Sequence, residues 1–246
     1  MATVSLQLIR VERNHSFLRL RLSRPERYNA LDSQTLRSLG ALLDEHHRSP
    51  LPLIIEGDAN IFSVGADISE LAQLDGPRAA AYSRLGHEVA SSIEAWPGVT
   101  IAHLTGYALG AGLELALGCD VLVGSPSLRL GLPGLAWALV PCMGGLRRLA
   151  CRVSESFSSE LFLNGDVLDA DKALAHGLID RIASTNEEVS ELAASLSEFS
   201  PSAVQAIRSM RLARQGAIDS GIGARMFAQP FQSGECQRRL KELLAS

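Results

Sequence analysis

Gly106-Tyr107-Ala108-Leu109-Gly110-Ala111-Gly112-Leu113-Glu114 follows the apolar run Val99 to Leu104 and leads into Leu115-Ala116-Leu117. A short apolar run, a cluster of glycines and a new apolar segment read as a strand, a tight turn and a helix opening near Ala111. The same order occurs earlier, where the strand Leu53 to Glu56 precedes Ser63-Val64-Gly65-Ala66-Asp67-Ile68 and a helix from Asp67 to Leu74. The first backbone amides of a helix lack intrahelical acceptors and lie at the positive end of its dipole. Two such ends facing each other, with Ala66 and Ala111 as donors, would form an oxyanion hole. The same glycines also suit close packing alone, and local spacing does not choose between the two.

Glu114 is the sharper signal, because Leu109, Leu113, Leu115, Ala116 and Leu117 make its segment apolar nearly all round. Such a helix is buried. A buried carboxyl needs a partner, and desolvation raises its affinity for a proton, as suits a general acid or base. Three residues after Ala111, it shares that residue's helix face. A partner arginine, a backbone amide or an exposed helix start would account for it as well.

Outward from this centre, Val4 to Ile9 and Ser16 to Leu22 alternate as strands, and Leu31 to His47 reads as a helix with Asp32 as N-cap. Pro77 to Trp96 is helical, short strands are expected at Val121 to Val123 and Leu128 to Leu130, and helices from about Met143, Glu155, Asp169 and Glu187 fill the last third. Ser200-Pro201 breaks that run as an N-cap followed by a first-turn proline. The expected division is residues 1–198 as the core and 199–246 as a helical element.

Composition narrows the partners. Of 246 residues, 46% are hydrophobic and 20% charged, enough for one large buried core. The net charge of −4 argues against nucleic acid as the main partner. Glu114, Asp120, His103 and several glycines interrupt Val99 to Gly124, so it does not read as a membrane span. The residues Met1 to Arg13 lack a secretory apolar block, and Cys119, Cys142, Cys151 and Cys236 form no C-x-x-C pair, which fits a reducing, cytoplasmic setting. Cys119 reads as a small buried thiol.

Four stretches, in order, resemble blocks of the enoyl-CoA hydratase/isomerase (crotonase) superfamily: Arg24-Pro-Glu-Arg-Tyr-Asn-Ala-Leu, Phe62-Ser-Val-Gly-Ala-Asp-Ile, Gly106 to Ala116 with Cys119-Asp120, and Asn164-Gly-Asp through Ala175-His-Gly-Leu-Ile-Asp. The resemblance implies an α/β fold, the ClpP/crotonase-like spiral of strand-strand-helix turns with a helical carboxyl-terminal element that trimerises, giving a homotrimer or hexamer. It also implies an acyl thioester of coenzyme A, or of a carrier-protein phosphopantetheine, as substrate, with no metal or redox cofactor. Carried onto this chain, it makes the amides of Ala66 and Ala111 the oxyanion hole and Glu114 the catalytic carboxyl. Ala111 stands where the family usually has glycine. Substrate contacts would come from Arg24, Arg27, Tyr28, Gly65, Asp67 and Ile68, with Gly110 and Gly134 at the reacting end and Arg27 as the phosphate contact.

Two departures matter. Hydratases with two glutamates carry the second directly after the proline of a segment that here reads Leu130-Gly-Leu-Pro-Gly134-Leu-Ala-Trp-Ala-Leu-Val-Pro. One carboxylate remains, and Leu132, Leu135, Ala136 and Trp137 give an apolar wall. Hydration with less help, isomerisation of a double bond and protonation of an enolate formed by decarboxylation all stay open, as does a catalytically silent thioester-binding role. Glu70, Asp75 and His87 could replace the missing group, although solvated helix faces account for them more simply. Gly234-Glu-Cys-Gln-Arg-Arg replaces an Asp-x-x-Glu-Gly segment, which puts coenzyme contacts from this end in question and leaves room for a carrier-protein substrate, as in polyketide assembly. Dinucleotide binding fails on spacing and on Leu128-Arg-Leu where an acidic residue belongs, and no G-x-S-x-G occurs.

Overall fold

The computed structural model describes residues 8–214, 220–232 and 234–245. The chain opens with a hairpin of β1 (Ile9–Arg13) and β2 (Leu18–Leu22), registered Ile9 to Leu22 and Arg13 to Leu18. Asn14 shapes its turn by accepting from the amides of Ser16 and Phe17. The first strand thus begins at the end of the expected one, of which Val4 to Gln7 lie outside the described residues. Helix α1 (Ser33–Glu45) follows, with Asp32 accepting from Thr35 N at 2.7 Å as its N-cap.

From here the chain repeats one unit. Strand β3 (Leu53–Glu56), strand β4 (Ile61–Ser63), the single-turn α2 (Ile68–Leu71) and the long α3 (Gly76–Glu94) make the first turn of a spiral. Strands β5 (Thr100–Leu104) and β6 (Tyr107–Leu109) with α4 (Ala111–Ala116) make the second, and β7 (Val121–Gly124) and β8 (Arg129–Gly131) open the third. That turn is completed by α5 (Gly145–Ala150) and α6 (Glu155–Asn164). Then come β9 (Val167–Asp169), α7 (Ala170–Ala175), β10 (Arg181–Ile182) and α8 (Asn186–Leu196). Helices α9 (Pro201–Arg214), α10 (Ser220–Gln232) and α11 (Glu235–Ala245) close the chain.

Each turn contributes one strand to each of two sheets, ordered β1-β2-β3-β5-β7-β10 and β4-β6-β8-β9. From β2 onward the first sheet is parallel, and β3 and β5 are buried along their whole length. Both faces are covered, which is why those strands are buried throughout instead of alternating, and their polar residues are partnered inside, His103 lying 3.6 Å from Glu56 and Thr100 bonding Asp120. One face joins the main core; on the other, Ile54, Ile101 and Val123 pack with Val189 and Ala193 of α8. This is the crotonase-type spiral the resemblance implied. The strand expected at Leu128 to Leu130 is β8, whereas the short strands β4, β6, β9 and β10, of two or three residues each, are missing from the sequence reading. The helix expected from Asp67 to Leu74 is reduced to α2, which passes into a turn at Ala72 before α3 starts at Gly76, capped by Asp75.

The parallel pairing of β4 with β6 sets up everything at their carboxyl ends. Both strands run in the same direction at a spacing of roughly 4.8 Å, so the turns that follow them emerge side by side. Gly106 opens β6 at φ +52°, and a Cβ there would overlap the carbonyl oxygen of Asn60 just before β4. G106A combines an overlap with a left-handed backbone angle, and it is expected to lower stability by about 3 kcal/mol. The urea midpoint of the variant would show this; a midpoint equal to wild type would mean that the two strand entries are not held in contact.

Candidate active site

The turns after β4 and β6 meet at Gly65. It holds φ +100°, and a Cβ on it would lie 2.7 Å from Leu109 O and 3.3 Å from Ala111 N. Only a residue without a side chain lets the two turns approach so closely. Leu31 braces the first turn, with its amide donating to Gly65 O at 2.8 Å and its carbonyl accepting from Asp67 N. That bridge uses the groups on either side of Ala66 and leaves the Ala66 N–H over. In the second turn Gly110, at φ +48°, donates to Gly131 O, and α4 begins at Ala111. Ala111 N is the first helical amide and has no intrahelical acceptor. Neither the Ala66 nor the Ala111 amide has an acceptor among the described residues, and both border one cavity of about 220 Å³.

Glu114 borders the same cavity and is 2% exposed. Its carboxyl faces the backbone of the segment before α5: Oε1 accepts from Cys142 N at 2.9 Å, and Oε2 accepts from Met143 N and Gly145 N, both at 2.8 Å. Two acceptor positions on Oε2 are thereby filled and one on Oε1 remains. Burial pushes the Glu114 carboxyl up from its ordinary range, while the three amides and the His87 imidazole pull it back without reversing the shift. Of the partners open from sequence, backbone amides are the ones it takes. Gly145 permits this, since a Cβ there would overlap the Glu114 side chain.

Gly134 lies on the cavity wall at the start of a 3-10 turn, Pro133–Trp137, among Leu132, Leu135 and Trp137. A Cβ at Gly134 would stand 3.2 Å from Leu139 O, so a side chain needs only a small adjustment there. None of the three candidate replacements reaches this position as a free acid or base. Glu70 accepts from Ser33 N and Ser33 Oγ, and Asp75 caps α3. His87 corrects the expectation of a solvated face: it is 4% exposed, its Nδ1 lies 3.0 Å from Ser83 O, and its ring packs against Gly144. Its helix buries this face against the segment that holds Glu114.

The expected coenzyme stretch divides. Arg24 is used within the chain, donating to Ala30 O at 2.8 Å and pairing with Asp32 at 3.0 Å and Asp67 at 3.4 Å. Asp67 is buried and caps α2 through Ser69 N and Glu70 N. Arg27 and Tyr28 are exposed at the surface beside it, with Arg27 Nη2 reaching Ser69 Oγ at 3.1 Å, and Ile68 lines the cavity. Two residues absent from the sequence reading also line it, Phe227 of α10 and Leu243 of α11. Their apolar character was visible, but nothing local tied helices so distant in sequence to this wall.

A model of the enoyl-CoA hydratase/isomerase family matches residues 12–242. The 2,3-dehydroadipyl-CoA hydratase of Escherichia coli is 34% identical over 86% of this chain and 85% of its own. A probable enoyl-CoA hydratase of Bacillus subtilis is 31% identical over 88% of each. Among solved structures, an enoyl-CoA hydratase of Thermoplasma volcanium superposes with TM-score 0.81 at 25% identity, covering 96% of both chains.

Because burial lifts the Glu114 carboxyl above its ordinary 4.5 in the folded chain, the folded state binds this proton more tightly than the unfolded one. Its contribution to stability is therefore full below the unfolded value and is lost as pH rises through the folded one. Urea unfolding of wild type and E114Q across that window should show wild type losing ground to the variant as pH rises. A difference independent of pH would mean that the amides cancel the effect of burial, and wild type gaining as pH rises would mean that they outweigh it.

Proposed function

Since the chain belongs to the enoyl-CoA hydratase/isomerase family, we propose that it adds water to, or removes it from, an acyl-CoA thioester through an enolate, with Glu114 as the sole proton-transferring side chain. The observation that carries this reading is the pair of unused amides, Ala66 N–H and Ala111 N–H, on the cavity that also holds the Glu114 carboxyl. The thioester carbonyl oxygen accepts from both amides, which stabilise the negative charge that develops there when the double bond is attacked. Glu114 takes a proton from water at the open position of Oε1 as the water oxygen bonds to Cβ, and the same carboxyl then returns the proton to Cα. One water is consumed and the carboxyl ends as it began. A carboxyl lifted by burial is suited to both halves of that transfer.

The cavity wall supports an apolar acyl tail, because Leu71, Phe162, Phe227 and Leu243 line it and, among the described residues, no Lys or Arg does. Arg27 and Tyr28 are the groups we assign to the coenzyme end, with Arg27 as the phosphate contact. Gly65, Asp67 and Gly110 act by shaping the two turns. Assembly as a trimer or hexamer, and a phosphopantetheine carrier in place of free coenzyme A, belong to the same proposal. A second reading rests on Gly134 and its apolar surroundings: without a second carboxylate to hold water, the same enolate can arise by decarboxylation or double-bond migration, and Glu114 then only supplies a proton.

Incubation with crotonyl, 3-enoyl, 3-hydroxyacyl and 3-carboxy-2-enoyl thioesters, with products identified by mass, separates these reactions. Water addition to crotonyl-CoA is expected, and product from the 3-carboxy-2-enoyl thioester alone would replace hydration by decarboxylation. E114Q should lose turnover by about 10²-fold or more while thioester affinity is kept; turnover equal to wild type would remove Glu114 from the chemistry, and binding without turnover in both proteins would reduce the protein to a binding module. G134E, which has room at Cβ, is expected to raise hydration relative to wild type by supplying a second water-holding carboxylate. No gain in a folded variant would indicate that Glu114 already performs both roles.

A further inference from the structure

Of the three amides that hold Glu114, those of Cys142 and Met143 belong to a segment with no regular structure, residues 138–144, between the 3-10 turn and α5, and that of Gly145 opens α5 itself. What fixes that segment fixes the carboxyl. On its N–H side it is bound to Glu114; on its C=O side two carbonyls are bound in turn. Ser83 Oγ of α3 donates to Cys142 O at 2.6 Å, and Arg148 Nη1 of α5 donates to Met143 O at 2.5 Å. Met143 is thus clamped at both ends, with its amide on Glu114 and its carbonyl on Arg148.

Arg148 is 3% exposed, and its other terminal nitrogen donates to Glu94 Oε2 at 2.7 Å, at the last residue of α3. Glu94 Oε1 also accepts from Arg147 Nη2 at 3.1 Å. The guanidinium is therefore held in one plane by an anchor on a different helix, while its second arm reaches the Met143 carbonyl. Gly144 makes way for it, at φ +83°, where a Cβ would come within 2.7 Å of Arg148 Nη1 and 3.3 Å of the His87 ring. A buried pair placed only for stability would not need to end on the peptide that carries a catalytic carboxyl's donors.

We propose that Arg148, anchored by Glu94, is a positioning residue for the reaction: by holding the Met143 peptide it aims the backbone amides that orient and charge-stabilise the Glu114 carboxyl. The titratable groups that face Glu114 are His87 and Tyr82 from α3 and Cys142 from the loop; those that face Arg148 are Glu94 from α3 and Arg147 from α5. Arg148 acts on Glu114 through the loop's geometry, and its removal weakens the amide bonds to the carboxylate. Losing those donors favours the protonated form.

The turnover arm of the test rests on the thioester reading above, so a second readout independent of turnover accompanies it. R148M/E94M removes the pair as a unit and leaves neither charge stranded. In this folded variant kcat for crotonyl-CoA is expected to fall about 10²-fold with KM within about two-fold, because the amides of Ala66 and Ala111 are untouched. The Glu114 carboxyl, followed by ¹³C NMR and assigned by its loss in E114Q, should titrate at higher pH than in wild type. R148K, which keeps one donor and the charge, should recover part of both effects. A folded double variant with unchanged kcat and an unchanged Glu114 titration overturns the proposal, as does a fall in thermal midpoint with both catalytic readouts intact. If wild type turns over no thioester yet the Glu114 titration moves, the thioester reading fails and the positioning role stands. Should the double variant not fold, E94Q carries the same two readouts with the same expectations.

Discussion

Burying a carboxyl without an opposing cation obliges the backbone to answer it, and the fold around Glu114 follows from that obligation. Helix α4 offers no donors to the side chain, because its own amides are used within the helix or left at its start. The donors come from residues 142, 143 and 145, a segment that turns its N–H groups toward Glu114 and its carbonyls toward Ser83 and Arg148. Helix α3 therefore takes part in the site without touching the cavity at those positions, through Ser83, His87 and Glu94.

A second constraint is geometric. Two unused amides, of Ala66 and Ala111, border one cavity, and a parallel strand pair brings their turns together. Because β4 and β6 are neighbours in one sheet, the turns after them are neighbours too, and Gly65 lets their backbones close to contact. The amides are not held by their own turns: Leu31, from another part of the chain, braces the first, and Gly131 at the end of β8 braces the second. The positions of the two free amides are thus set by strands and by braces from elsewhere in the chain.

Gly134 gives the site its individual character within the family. The wall there is apolar and has room at Cβ, and Glu114 is the carboxyl that borders the cavity, with one open acceptor position. The terminal helices deepen the same character, closing the cavity with Phe227 and Leu243. The carboxyl-terminal helices contribute to the cavity wall by apolar side chains.

The amino-acid sequence by itself determined the family, the order of its blocks, and every feature that depends on neighbours a few residues away. Asp32, Asp75 and Asp169 cap their helices by accepting amides three residues on, and the glycine turns open α2 and α4 where their spacing placed them. It also marked Glu114 as a buried acid, since that follows from the apolar residues around it. Tertiary structure alone decided the rest: that Glu114 bonds backbone 28 to 31 residues away, that Arg24 is consumed by Asp32 and Asp67, and that His87 faces inward. Strands β4, β6 and β9 of the second sheet belong here too, because segments of three residues carry little pattern of their own. Local hydrogen bonding and hydrophobic period are written in adjacent residues, whereas a partner across the fold depends on how whole elements pack, and no short stretch of sequence carries that information.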